Sequence, residues 1–195
     1  MTAFRHASLF LVLVLVPAPG HGIESISTNQ PIPAEFVDYV NYYAALQRMT
    51  ITALGPPLMW SDPEQLRRQQ LRFANAMREA RPTARAGDVF TPAVARYFRT
   101  RIEMIVRETN LDVAPPFEPP DEDEIVVNVV PHVAEAVPWN TGPVMWPSML
   151  AGLPELPPEL EYRFLGRHLI VIDVLAGLVV DVLYDALPEP EFSSS

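Results

Sequence analysis

Twenty-two of the 195 residues are proline, and their positions decide where regular structure can run. A proline inside a helix removes a backbone donor and costs about 3 kcal/mol. In a central strand it breaks the hydrogen-bonded ladder. Long elements must therefore start at a proline or lie between prolines. Pro33, Pro63 and Pro92 each open a stretch of helical periodicity. Others crowd Ala114-Pro115-Pro116-Phe117-Glu118-Pro119-Pro120, and residues 131–159 hold seven. Apolar residues make up 49 % of the chain, which argues against general disorder.

The first half reads as helical. Phe36, Val37, Val40, Tyr43 and Ala44 recur at helical spacing to about Ala53, and Gly55-Pro56-Pro57 ends the run. Asp62, Pro63 and Gln65 form the start of a second helix in the manner of a capping box. Its predicted apolar face is Leu66, Phe73, Met77 and Ala80, and Pro82 stops it. A third helix has Thr91 as cap and Pro92 in first position. Val94, Phe98, Ile102 and Ile105 form its buried face, and it runs to about Glu108.

The second half changes period. Ile125 to Val130 is a predicted strand. Residues 131–159 read as an ordered loop with a helical turn near Ser148 to Leu153, and expose Trp139, Asn140, Met145 and Trp146 as a partner surface. Three strands follow over residues 160–184. A Leu165-Gly166-Arg167 turn sets Phe164 opposite His168, and a Leu175-Ala176-Gly177 turn sets Val174 opposite Leu178. This register puts Leu160, Tyr162, Phe164, His168, Ile170, Ile172, Val180, Val182 and Tyr184 on the core face. Glu161, Arg163, Val171, Asp173, Val179 and Asp181 take the other. A slip of one residue would exchange the faces of a strand. The expected class is α+β: an N-terminal bundle of about three helices and a small C-terminal antiparallel β-meander.

Charge divides the chain at the proline-rich stretch. Residues 23–112 hold 11 Arg and 10 acids, whereas residues 113–195 hold 2 Arg and 14 acids. The first 22 residues read as a signal peptide. Arg5 precedes the apolar run Ser8 to Val16, which is too short to span a bilayer, and cleavage is expected after Gly20 or Gly22. The expected organisation is a leader over 1–22, an Arg-rich helical region over 23–112, and a Pro/acidic linker over 113–124. An acidic β-containing region over 125–188 and a disordered tail over 189–195 follow. The product is periplasmic or secreted, with no transmembrane segment once the leader is removed.

Several chemistries are excluded by composition. The chain has no Cys and no Lys, so thiolate nucleophiles, Cys-based zinc sites and Walker motifs are impossible. No Gly-x-Ser-x-Gly elbow occurs. His132 and Glu135 stand at i, i+3 between Pro131 and Pro138, too cramped for a helical metal pair, and read as loop residues. His168 reads as a hydrogen-bonded core histidine beside Phe164 and Tyr184. Glu161, Asp173 and Asp181 are the candidate site residues. A shared face of carboxylates can act as acid and base or bind Ca²⁺, although a solvated, charged sheet face is the plainer reading. Residues 67–107 carry ten Arg against Glu79, Asp88 and Glu103. These arginines can dock onto the protein's own acidic half or bind an external anion such as a lipid headgroup. Export argues against nucleic acid.

The segments Leu156-Pro157-Pro158, Tyr162 to Arg167, Leu169 to Asp173 and Gly177 to Leu183 resemble the C-terminal hairpin signature of the RcnB-like periplasmic family. The same pattern is similar to small secreted bacterial proteins with an Arg-rich helical half ahead of the hairpin. The resemblance implies a β-hairpin, export and, in the RcnB-like case, a nickel and cobalt homeostasis accessory role. It implies no catalytic residue. The leading expectation is a non-enzymatic exported module that binds an envelope component or another protein, without a metal or other cofactor. The alternatives are the RcnB-like accessory and a hydrolase using Glu161, Asp173 and Asp181.

Overall fold

Helices begin where the sequence supplies a local start signal. Helix α1 covers Ala34–Leu54 behind Pro33 and ends at Gly55, whose φ of +86° suits glycine. Helix α2, Pro63–Ala80, has Asp62 as cap, its side chain accepting the Glu64 N–H at 3.0 Å. Helix α3, Pro92–Thr109, has the Thr91 hydroxyl accepting the Val94 N–H and closes at left-handed Asn110. A six-residue helix α4, Pro147–Gly152, sits where the helical turn was expected. These elements belong to a computed structural model of the chain, which describes residues 30–55, 62–111, 130–137 and 144–189. The leader, the Pro/acidic linker, the strand expected at Ile125 to Val130 (Val130 apart), Trp139, Asn140 and the tail from residue 190 lie outside the described residues.

Strands β1 (Leu160–Leu165), β2 (His168–Asp173) and β3 (Leu178–Leu183) form an antiparallel sheet in the order β1-β2-β3. The α+β class and the β-meander thus stand as expected. The helices lie against one face of the sheet. Phe36, Val40, Tyr43, Phe73, Met77, Phe98 and Ile102 share one apolar cluster with Leu160, Tyr162, Phe164, Leu169, Val171 and Val180. Phe98 is its centre, with ring centroids 5.0 Å from Phe36, 5.2 Å from Phe90 and 5.9 Å from Tyr162.

The strand register differs from the expectation by one residue at each turn. The first turn is only Gly166-Arg167, so Leu165 pairs with His168 and Phe164 with Leu169. The second turn is the four residues from Val174 to Gly177, with Asp173 opposite Leu178. Asp173 causes the longer turn, because its carboxylate accepts the Leu175 and Ala176 N–H groups at 3.0 and 2.8 Å. The slip turns Leu169 and Val171 toward the helices and Ile170 and Ile172 away. The far face is therefore apolar: Leu165, Ile170, Ile172, Val179 and Val182 are all at most 3 % exposed, clustered with Val137. Of the charged residues expected there, Glu161 and Arg163 lie on this face, half-buried, whereas Asp173 and Asp181 do not.

A bulge completes the sheet. Val171 pairs with Asp181 but Ile172 pairs with Val179, leaving Val180 as an extra residue. Both sheet edges are covered. Ala134 N–H and Val137 N–H donate to Val179 and Gly177 along β3, and Val144 exchanges two backbone bonds with Phe164 on β1. Trp146 packs on Phe164 at 5.3 Å and, like Met145, is half-buried, which corrects the exposed surface expected for these two. Leu66 is also corrected. It shares the Phe73 face but stands at the open end of α2 and is 48 % exposed, while Ala74 is buried and Ala80 exposed.

Gly152 marks a close contact between α4 and α3. A Cβ there would lie 2.5 Å from Ile105 Cδ1 and 2.8 Å from Ile105 Cγ1. Gly152→Ala is expected to destabilise the protein by about 1–3 kcal/mol through overpacking, although alanine is the better helix former. Urea denaturation checks this, and the cost should shrink in an Ile105→Ala background.

Candidate functional site

The three candidate carboxylates do not converge. Glu161 alternates with Leu160 and Tyr162 and so lies on the far face, where Arg163 Nη2 approaches it at 3.0 Å. Asp173 and Asp181 turn to the helical side and are both 0 % exposed. Burying a carboxylate is costly unless its oxygens are hydrogen-bonded, and here they are saturated.

Asp181 reaches the loop between α2 and α3. Its Oδ1 accepts the Gly87 N–H at 2.9 Å and the Val182 N–H at 2.7 Å. Its Oδ2 accepts the Val89 and Phe90 N–H groups at 2.7 and 2.8 Å. Gly87, at φ +90°, gives the loop the backbone conformation that this convergence uses. Asp173 does the same for α1. Its Oδ2 accepts the Tyr43 hydroxyl at 2.8 Å, and its Oδ1 accepts Gln47 Nε2 at 2.7 Å beside the two turn amides. Tyr43 and Gln47 are one helical turn apart, so both project from the same side of α1. Burial pushes both aspartates above the ordinary carboxylate range, while their hydrogen bonds pull the other way. The Tyr43 hydroxyl is pushed up by burial and by the Asp173 charge.

The arginines complete a reciprocal exchange. They dock the helical half on the acidic half, but largely through carbonyls rather than carboxylates. Arg78 Nε donates to Ala134 O at 2.8 Å, Arg99 to Tyr184 O at 3.0 Å and Arg101 to Gly152 O at 2.7 Å. Arg81 is enclosed, its side chain only 9 % exposed. It donates to the Tyr39 hydroxyl at 2.7 Å and stacks over the Tyr43 ring at 4.9 Å. Arg48 adds an ion pair with Glu159 at 2.6 Å.

The histidines are separate. His168 Nδ1 accepts the Asp185 N–H at 3.0 Å and its ring meets Tyr184 edge-on at 5.4 Å. It is hydrogen-bonded as expected, but it pairs with Leu165 rather than Phe164. His132 and Glu135 are exposed loop residues. Among the described residues, no group of three or more His, Asp or Glu side chains is placed to hold a metal ion.

One side of α2 faces outward. Arg67, Arg68 and Arg72 are exposed there with Leu71, which is 54 % exposed. Beside them Leu66, Phe73 and Leu175 line an open groove with Arg67, Gln69 and Gln70, and no acidic side chain is among these lining residues.

The two aspartates separate by their donors. Asp181 faces four backbone N–H groups, which cannot turn to accept from an amide NH₂. Asp181→Asn is expected to cost about 3 kcal/mol. At Asp173 the Tyr43 hydroxyl can rotate and accept, so Asp173→Asn is expected to cost only about 1 kcal/mol at neutral pH. The Asp173 carboxyl holds its proton more tightly folded than unfolded. Its contribution is therefore fully present below the ordinary carboxylate range, near pH 4, and is lost as pH rises through the raised folded value. Wild type should lose stability relative to Asp173→Asn over that rise, as read by denaturant unfolding at stepped pH. A difference that does not change with pH contradicts the assignment.

No protein-family model matches the chain, and no curated protein or solved structure is significantly similar to it.

Proposed function

We propose that the protein is a non-enzymatic, exported binding module that meets an anionic surface of the cell envelope through α2. The observation that carries this reading is the division of labour among the arginines. Arg78, Arg81, Arg99 and Arg101 are spent on internal oxygen acceptors, whereas Arg67, Arg68 and Arg72 stay exposed around Leu71. Spacings of three and four residues keep Arg67, Arg68, Leu71 and Arg72 on one side of the helix. Guanidinium groups bind phosphate bidentately, and a leucine among them can enter the headgroup boundary.

Glu64 is the local competitor. It holds Arg67 and Arg68 at 3.5 and 3.4 Å, but both pairs are more than half exposed, and such pairs are worth little. The leader read from residues 1–22 supplies the location. Asp173 and Asp181 serve the fold and are not needed for this function.

The test is co-sedimentation with phosphatidylglycerol vesicles against phosphatidylcholine vesicles. Binding should be confined to the anionic vesicles and weaken with salt. Arg67→Gln, Arg68→Gln and Arg72→Gln together should weaken it by on the order of 100-fold, at about 1 kcal/mol per arginine. Equal binding to both vesicles, or an unaffected triple variant, would sink the reading.

A further inference from the structure

Helix α1 has a second face that is exposed among the described residues. It buries Phe36, Val40, Tyr43, Ala44 and Gln47 against the core. The opposite side carries Ala34, Asp38, Tyr42, Ala45, Met49 and Thr52, all exposed. These recur at intervals of three and four residues, so they form a continuous stripe along a helix about 31 Å long. Tyr42 is 58 % exposed and Met49 is 69 % exposed. An outward helix face in a globular protein is normally charged. Here the 21 residues hold only Glu35, Asp38 and Arg48.

We propose that this face is where a second copy of the chain docks, α1 against α1 in antiparallel orientation. Self-pairing is favoured by the order of charge and size along the stripe. The acids Glu35 and Asp38 lie in the first third of α1 and Arg48 in the last third. An antiparallel partner brings Asp38 of each copy within about one turn of Arg48 of the other, whose side chain is 58 % exposed and can bridge that carboxylate and its own Glu159, whereas a parallel partner sets Asp38 against Asp38. With the two-fold axis between Tyr43 and Ala44, Tyr42 of each copy lies over Ala45 of the other. Both large side chains thus face small ones, and Met49 covers the stem of Asp38. A bilayer has no use for the carboxylate of Asp38 within the stripe, which separates this face from the cationic side of α2. A two-fold arrangement of this kind is self-complementary and closes at two copies.

Sedimentation equilibrium on the full chain, expressed with its own N-terminal segment, should show a monomer–dimer equilibrium. Met49→Glu should weaken it by at least about tenfold with unchanged circular dichroism, since Met49 is exposed. The absence of cysteine allows the orientation to be read directly. In oxidised mixtures, Ala34→Cys should cross-link to Ala53→Cys, and neither should cross-link to itself. A monomer at all concentrations, an unaffected Met49→Glu dimer, or self-cross-linking of each single variant overturns the proposal.

Discussion

Four backbone N–H groups converge on the buried carboxylate of Asp181, and the arrangement of both halves of the protein follows from them. Three belong to the loop between α2 and α3 and the fourth to β3 itself. The carboxylate can reach that loop because the bulge at Val180 breaks the alternation of β3 and turns Asp181 to the helical side. Asp173 repeats the device at the end of β2 with Tyr43 and Gln47 of α1. Each aspartate thus binds a different part of the helical layer. Charge-assisted bonds of this kind are directional, whereas apolar packing is not. They specify where the helical elements sit on a face whose other contacts are mainly apolar.

The exchange runs both ways. The β-containing half supplies carboxylates to helical-half donors, and the helical half supplies guanidinium groups to carbonyls at Ala134, Gly152 and Tyr184. An Arg–carbonyl bond satisfies a backbone acceptor that no ladder reaches. The opposite charges of the two halves therefore meet less as ion pairs than as ions bonded to neutral backbone. On the outer side of α2, Arg67, Arg68 and Arg72 are exposed, the first two holding only weak surface pairs with Glu64. The outer stripe of α1 is the complementary surface, nearly uncharged.

Local signals were legible in the sequence and distant ones were not. Asp62-Pro63 and Thr91-Pro92 mark helix starts because a capping oxygen and the N–H that donates to it lie within three residues. Spacing alone marks the core face of α3, where Val94, Phe98, Ile102 and Ile105 are all buried. The three C-terminal strands were also placed, but their register was not. The second turn is lengthened by the Asp173 side chain, and a one-residue difference moved Ile170 and Ile172 to the other face. The aspartates looked solvated because their partners are far along the chain: Tyr43 is 130 residues from Asp173, and Val89 is 92 from Asp181. One sign was present. Val171-Ile172-Asp173 and Val180-Asp181-Val182 set an acid among β-branched residues, and Gln47 sits on the apolar side of α1 one turn from Tyr43. A polar group within an apolar stretch points to a buried bond.

Native-state hydrogen exchange tests this anchoring role most directly. The amides of Val89 and Phe90 lie in a loop, where exchange is ordinarily fast. If Asp181 holds the loop to the sheet, these amides exchange only on global unfolding, at the rate of the central β2 amides. Fast exchange of Val89 and Phe90 beneath a protected β2 would contradict the account, because the loop would then open without the sheet.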